Sequence, residues 1–163
     1  LAELVKEFRM RNLNIGGILS PVVYEELNRI GFDVVNIQNQ KRTPLCRISS
    51  EVKGIMVGDF KFFEEGIRFG NNALDLKNIS NCKLVIIDEV GPLELEGNGW
   101  AVSLDRIIDN LSCPILLVVR ENLLEKINER WKFVPECVWK INRGNKDEIF
   151  PIIIKKIISD HIK

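Results

Sequence analysis

The chain has 163 residues, of which 23 are basic and 23 are acidic, so its formal net charge is zero. This length is typical of one domain, and we predict a single domain over residues 1–163. The balanced charge gives no support to a nucleic-acid-binding surface, which would need a basic patch. No apolar run reaches the length of about 18 residues that a membrane span requires, so no membrane association is expected.

The four cysteines indicate a reduced protein without a zinc site. They are far apart in sequence, they form no C-x-x-C pair, and the single histidine is distant from them. Three of the four lie in or beside apolar, strand-like runs, where a thiol behaves as a small apolar group. With no signal peptide visible, we predict a cytoplasmic protein. The cysteines are Cys46, Cys82, Cys113 and Cys137.

The chain opens with a predicted amphipathic helix over residues 1–11. Its apolar positions have the spacing of one helix face, and charged residues occupy the other face. No capping residue precedes Leu1, although helices normally begin at one, so we expect further residues upstream in the natural protein. The apolar positions are Leu1, Leu4, Val5 and Phe8.

The next part of the chain has the pattern of an antiparallel meander. Residues 15–24 predict a strand interrupted by Pro21, and residues 31–38 and 43–48 predict two more strands joined by short polar turns. Residues 49–58 are predicted to form a loop.

The second half alternates between helical and strand-like patterns. The apolar spacing predicts helices over residues 61–76, 98–111 and 122–130, and a last helix whose apolar stripe extends to Ile162. Pro151 favours a start of that last helix near Asp147, or a kink. Strands are predicted over residues 84–89, 113–119 and 134–141. This order predicts an α/β fold with a mostly parallel sheet.

The central feature is a run of four apolar residues, Leu84 to Ile87, followed by Asp88 and Glu89. A strand without alternation is buried on both faces, as parallel strands covered by helices are. Ligands of open α/β sheets bind at the carboxyl ends of such strands. The acidic pair therefore fits the acidic half of a phosphoryl-transfer site, with Asp88 holding Mg²⁺ through water and Glu89 orienting or deprotonating the attacking water. The competing interpretation is that acidic residues simply begin the turn that follows the strand.

A second apolar run, residues 113–119, predicts another buried parallel strand. Arg120 and Glu121 follow it, and we expect them at the same sheet edge as Asp88. Arg120 is a candidate cis arginine that would stabilise charge in the transition state, although a solvated arginine beside a glutamate is also common.

The sequence Ile87-Asp-Glu-Val-Gly-Pro-Leu-Glu-Leu resembles the THEP-type nucleoside-triphosphatases, small P-loop proteins whose acidic strand continues as D-E-I-G-x-M-E-L or similar. The likeness extends over nearly the whole chain in the family's order. It includes Gly17-Ile-Leu-Ser-Pro-Val-Val, Gly31-Phe-Asp-Val-Val, Val57-Gly-Asp-Phe and Asn145-Lys-Asp.

The resemblance implies a three-layer P-loop NTPase fold, with helices on both faces of the sheet, and Mg²⁺-dependent hydrolysis of ATP or GTP. Asp88 and Glu89 would be its Walker B pair. Glu94 matches a family glutamate, which would either take part in the site or only order the turn. Three further residues lie in a loop where a nucleotide base would rest, although ordinary loop polarity also explains them: Arg143, Asn145 and Lys146.

The chain departs from the family pattern in two places. The Walker A loop, G-x-x-G-x-G-K-[ST], is absent, and residues 1–11 resemble the helix that follows it, so we expect the 163 residues alone to be a poor catalyst. Val22-Val23-Tyr24 stands where the family tends to have Glu and Arg, and Pro92 stands where relatives often have Lys. The alternatives are a small-molecule or nucleoside kinase of the same fold, and a non-catalytic nucleotide-binding or protein-interaction domain.

Overall fold

The computed structural model describes residues 1–48, 51 and 53–161. Within these residues the main helices are α1 (Ala2–Met10), α2 (Glu64–Ala73), α3 (Leu76–Ile79), α4 (Pro92–Leu95), α5 (Ala101–Asn110), α6 (Leu124–Trp131) and α7 (Lys146–His161). The strands are β1 (Ile15–Leu19), β2 (Val22–Glu25), β3 (Asn28–Asn36), β4 (Arg42–Ile48), β5 (Gly54–Val57), β6 (Phe60–Phe63), β7 (Leu84–Val90) and β8 (Ile115–Val119).

The strands form one mixed sheet in the order β5-β6-β4-β3-β1-β7-β8, with β2 paired to β3. β1 and β8 flank β7 in parallel, whereas the pairings from β1 through β3 and β4 to β5 are antiparallel. The predicted α/β fold with an antiparallel meander near the N-terminus is therefore confirmed. The acidic strand β7 lies in the parallel part, as expected.

Helices cover both faces of the parallel part. Leu84 and Ile86 of β7 pack with α1 and α7 in one apolar cluster, and Val85 and Ile87 pack with α5 and α6 in another. All four side chains are 0% exposed, which confirms the two-sided burial that the uninterrupted apolar run predicts. The strand is thus fixed from both sides, and its carboxyl end is a rigid platform for Asp88 and Glu89.

The helix predicted over residues 61–76 is partly wrong. Its first residues belong to β6, which pairs with β4 and β5, and the helix α2 begins only at Glu64. Aromatic residues favour strands when a pairing partner is available, and Phe62 has Cys46 and Ile55 beside it. The predicted loop over residues 49–58 also needs correction, because β5 occupies part of it; Ser49, Ser50 and Val52 lie outside the described residues.

Two glycines of α2, Gly66 and Gly70, have a packing role. A Cβ at Gly66 would overlap the backbone of Pro44, and a Cβ at Gly70 would overlap the ring of Trp100. Both residues are therefore small because a strand and an indole approach the helix closely.

The strand predicted over residues 134–141 is not observed. The described chain has no regular structure there, and Val134 and Val138 are 94% and 61% exposed. β8 is parallel to β7 as predicted, but all five of its residues are only half-buried, because no described strand pairs with its other side. A strand needs a hydrogen-bonded neighbour, and within the described residues this segment has none.

The last helix begins at Lys146, and Pro151 lies within its second turn. Ile153, Ile154 and Ile157 are buried against α1 and the sheet, as the apolar stripe predicts; Ile162 lies outside the described residues. In the part of the chain that the structure describes, no helix has the length and apolar character needed to cross a membrane.

Candidate active site

The candidate site lies at the carboxyl edge of the three parallel strands. β7 ends with Asp88, Glu89 and Val90, β1 is followed by Ser20, and β8 is followed by Arg120. Because parallel strands end at the same edge, these side chains converge. Helix α1 runs back toward the start of β1, so its amino end also lies at this edge.

Asp88 is held by the end of the neighbouring strand. The backbone N–H of Ser20 donates to Asp88 Oδ2 at 3.1 Å, and the Ser20 hydroxyl donates to the Asp88 carbonyl oxygen. Burial raises the pKa of Asp88 to about 6, and the nearby Glu89 charge also raises it. The hydrogen bond from the Ser20 N–H acts in the opposite direction. The site thus contains a carboxylate for which a cation would compensate the cost of burial.

Sequence reasoning missed Ser20. Its signal was its position after the strand-like residues 15–19 and before Pro21, which places it at the edge where Asp88 was already expected. Its two hydrogen bonds fix both the side chain and the backbone of Asp88.

Glu89 and Arg120 form an ion pair across the edge. Arg120 Nε donates to Glu89 Oε1 at 3.0 Å, and a terminal guanidinium nitrogen lies 2.8 Å from the same oxygen. The two side chains are 38% and 56% exposed, so the pair is open to solvent and to a ligand. The structure therefore brings together two of the residues that the sequence singled out.

Glu94 is the most deeply buried of these carboxylates, with 3% of the residue exposed. Its Oε2 accepts the backbone N–H of Gly91 at 2.8 Å, and its Oε1 accepts that of Trp100 at 3.2 Å. Both contacts are with the backbone of the turn, as expected of a glutamate that orders the turn. Glu94 and Glu89 both lie close to Gly91, since a Cβ built there would be 3.5 Å from Glu89 Oε1 and 3.9 Å from Glu94 Oε2.

Stability should depend on the protonation of Glu94. Burial raises its pKa from 4.5 to about 7, although its backbone hydrogen bonds lower it. A raised pKa in the folded state gives a stabilisation that is complete below about pH 4.5 and is lost as pH rises through about 7, with a size on the order of 3 kcal/mol. We expect Glu94→Gln to remove this pH dependence in urea unfolding measured from pH 4.5 to 8.

Between pH 6 and 7 the change in the free energy of unfolding comes mainly from Glu94. The pH-dependent contribution of Asp88 is already lost near its own pKa of about 6. Glu96→Gln changes an exposed carboxylate two residues away and should keep the wild-type profile. A Glu94→Gln protein whose stability still falls between pH 6 and 7 would contradict the assignment.

The loop before α7 lies beside the amino end of α1. Lys146 Nζ donates to the Glu3 carboxylate at 2.9 and 3.0 Å, and this hydrogen bond raises the pKa of Lys146 and lowers that of Glu3. Asn145 accepts from the N–H of Asn142 and donates to the Lys140 carbonyl. Arg143 is exposed. The loop is thus tied to the same edge as Asp88, but its nucleotide-binding role remains a prediction.

Asp88 is the residue best suited to hold a divalent metal. Of its two oxygens, Oδ1 accepts no hydrogen bond from the described residues. No cluster of three or more His, Cys, Asp or Glu side chains forms a metal cage within the described part of the chain. A site with one or two carboxylates, completed by water and substrate phosphates, is the usual arrangement for Mg²⁺.

Comparisons with known proteins agree with the resemblance seen in the sequence. Residues 1–154 match a family model described as NTPase. Among curated proteins, the chain is 27% identical over 150 residues to a nucleoside-triphosphatase THEP1 of Methanopyrus kandleri, covering 88% of this chain and 79% of that protein. It is 22% identical to a THEP1 of Methanocaldococcus jannaschii, covering 98% of this chain and 87% of that protein.

Two solved structures share the fold. One is the solution structure of a human cancer-related nucleoside triphosphatase, with a TM-score of 0.74, 21% identity and coverage of 98% of this chain and 89% of that one. The other is the crystal structure of THEP1 from Aquifex aeolicus, with a TM-score of 0.72, 18% identity and coverage of 95% and 91%. The order of elements, the acidic pair at the end of β7 and the match over residues 1–154 lead to one conclusion: the chain belongs to the NTPase family.

Proposed function

We propose that the intact protein, meaning this chain with whatever residues precede Leu1 in the natural polypeptide, hydrolyses nucleoside triphosphates such as ATP or GTP. Asp88 would hold Mg²⁺ and Glu89 would orient the attacking water. The observation that carries the proposal is the convergence of Asp88, Glu89 and Arg120 at one sheet edge, beside the amino end of α1. Membership of the NTPase family supports the same activity.

The surroundings of each residue suit it to a different role in the proposed reaction. Asp88 is partly buried and is held by Ser20, which suits a fixed ligand, and a bound Mg²⁺ would neutralise developing charge on the phosphates. Glu89 is half-exposed and able to contact a water molecule, so it would orient that water and accept its proton. Ser20 positions Asp88, and Glu94 orders the turn that follows Glu89.

Arg120 would have one role before the substrate binds and another role afterwards. Without substrate it pairs with Glu89, and with a triphosphate bound its guanidinium would lie within reach of the negative charge that develops on the phosphates. The same cation would therefore keep the Glu89 carboxylate in place and stabilise the transition state.

Arg120→Ala is expected to lower kcat by about 10²-fold, the lower end of the range for a transition-state donor, because the side chain is exposed. The measurement is steady-state phosphate release, with Arg106→Ala on an exposed part of α5 as the control. Combination with Glu89→Gln should give less than the sum of the two losses if Arg120 acts through Glu89. Equal activity of Arg120→Ala and wild type would remove Arg120 from the mechanism.

The proposal is tested by phosphate release from ATP and GTP with the intact protein, with and without Mg²⁺, together with nucleotide binding by calorimetry. Metal-dependent turnover supports hydrolysis, and transfer to an added hydroxyl acceptor without release to water would indicate a kinase. Tight binding without turnover would favour a non-catalytic nucleotide-binding domain.

A further inference from the structure

The sheet ends at β5 (Gly54–Val57), and this edge strand lacks the features that usually protect a sheet edge. β5 pairs with β6 on one side, and no described strand pairs with its other side. Edge strands commonly carry a charged residue, a proline or a bulge, whereas Gly-Ile-Met-Val has neither charge nor proline and its register with β6 has no bulge. Met56, in the middle of the strand, is 57% exposed. The edge is therefore open to pairing with another strand.

The β5–β6 hairpin determines which backbone groups face outward. Val57 pairs with Phe60 across a two-residue turn, and Gly58 has the positive φ of 58° that suits the first position of a type II′ turn. The closing pair of such a hairpin exchanges both of its hydrogen bonds, and bonded and non-bonded pairs then alternate along the strands. The N–H and C=O of Met56 therefore point away from β6, toward the free edge.

The sequence around this edge is complementary to itself in the antiparallel direction. It runs Lys53-Gly-Ile-Met-Val-Gly-Asp59, so a second copy centred on Met56 places glycine opposite glycine, isoleucine opposite valine and lysine opposite aspartate. Opposite charges that face each other across a strand pair stabilise it, and like charges destabilise it. Lys53 and Asp59 are both exposed, and neither forms an ion pair with another described residue. The antiparallel copy supplies a partner of opposite charge for each of them.

The rest of the molecule does not oppose such a pairing. The formal net charge is zero, so two copies do not repel each other at long range. β5 lies at the end of the sheet opposite to β7 and β8, so the pairing leaves the candidate active site accessible. The strand has only four residues, and an interface of this size is typical of a weak complex that forms at high protein concentration.

We propose that β5 is a dimerisation edge, at which two copies of this chain pair their β5 strands antiparallel about a two-fold axis at Met56. The two sheets become one continuous sheet, and each Met56 exchanges two backbone hydrogen bonds with its counterpart. Lys53 of each copy forms an ion pair with Asp59 of the other copy. Because the contact uses the same surface on both copies, it closes on itself and the assembly stops at two. The dimer does not depend on hydrolytic activity.

The first test is sedimentation velocity of the intact protein from about 1 µM to about 1 mM, the range in which weak interfaces dissociate. The average mass should rise from that of one protomer toward that of two. Amide exchange of Met56 should slow over the same range, because pairing protects an amide, whereas that of Ile55, which already faces β6, should stay constant. A monomer at every concentration would overturn the proposal and leave the edge to a partner of another kind.

Charge reversal tests the pairing itself. Lys53→Glu and Asp59→Lys each turn two attractive contacts into two repulsive ones, so each variant alone should dimerise about tenfold more weakly. An equimolar mixture of the two variants should recover the wild-type affinity, because every reversed charge then faces an opposite charge, and the double variant should recover it for the same reason. Asp109→Lys, at an exposed position of α5, is the control and should dimerise as the wild type does.

Two further outcomes would overturn the proposal. Weaker dimerisation of both single variants without recovery in their mixture would show that Lys53 and Asp59 do not face each other. Unchanged dimerisation of both variants would place the interface on another surface. Thermal unfolding verifies that each variant is folded, and Met56→Lys, which brings two like charges together at the two-fold axis, is a disrupting change outside the turn.

Discussion

Glu89→Gln in the intact protein is expected to lower the rate of nucleoside triphosphate hydrolysis by about 10²–10⁴-fold, the usual contribution of a general base. The amide cannot accept a proton from the attacking water at neutral pH. Its Oε1 still accepts a hydrogen bond, so Arg120, which donates to Glu89 Oε1 at 3.0 Å, can stay in place. Single-turnover phosphate release and nucleotide affinity are the two measurements, and the affinity should change little.

Glu129→Gln is the matched control, because Glu129 is an exposed glutamate near the end of α6, the helix that begins beside the sheet edge. The variant also carries an internal check. Glu89 contributes to the raised pKa of both Asp88 and Glu94, after the larger effect of burial, so removing its charge should lower both pKa values. Wild-type turnover in Glu89→Gln would show that the water is activated by another group.

The sequence was most informative where a single physical requirement dominates. An uninterrupted apolar run must be buried on both faces, and this predicts the central position of β7 and the edge on which Asp88 and Glu89 lie. The ion pair between Glu89 and Arg120 follows from the same rule, since both residues end parallel strands. Local periodicity and the order of the strands were sufficient for these features.

Elsewhere the outcome depended on contacts that no local pattern contains. Phe62 has a helical spacing to Phe69 but lies in β6, because β4 and β5 offer it strand partners. Val138 has a strand-like sequence but no strand beside it. Ser20 belongs to the strand predicted over residues 15–24, and only the register of β1 against β7 brings it to Asp88. The hydrogen bonds of Glu94 similarly depend on the fold of the turn around it.

Asp88→Asn is expected to make the protein more stable and inactive. Burial raises the pKa of Asp88 from 3.8 to about 6, so the charged carboxylate costs up to about 3 kcal/mol above pH 6. Asparagine has no charge to bury, and its amide oxygen can still accept the Ser20 N–H. It also lacks the anionic oxygen that Mg²⁺ requires, so metal-dependent hydrolysis should fall by more than about 10³-fold.

The pH dependence distinguishes this explanation from a general change in packing. Because the pKa of Asp88 is raised in the folded state, its stabilising contribution is complete below about pH 3.8 and is lost as pH rises through about 6. The advantage of Asp88→Asn in urea unfolding should therefore be absent near pH 4, grow up to pH 6 and remain constant above it. Asp109→Asn, at an exposed position of α5, should show no such gain.

Mg²⁺ with nucleotide should raise the Tm of the wild type but not of Asp88→Asn, because a ligand that binds only the folded state stabilises that state. A variant that is less stable at pH 8, or that keeps its Mg²⁺-dependent Tm shift, would show that Asp88 is a structural residue and that the metal binds elsewhere.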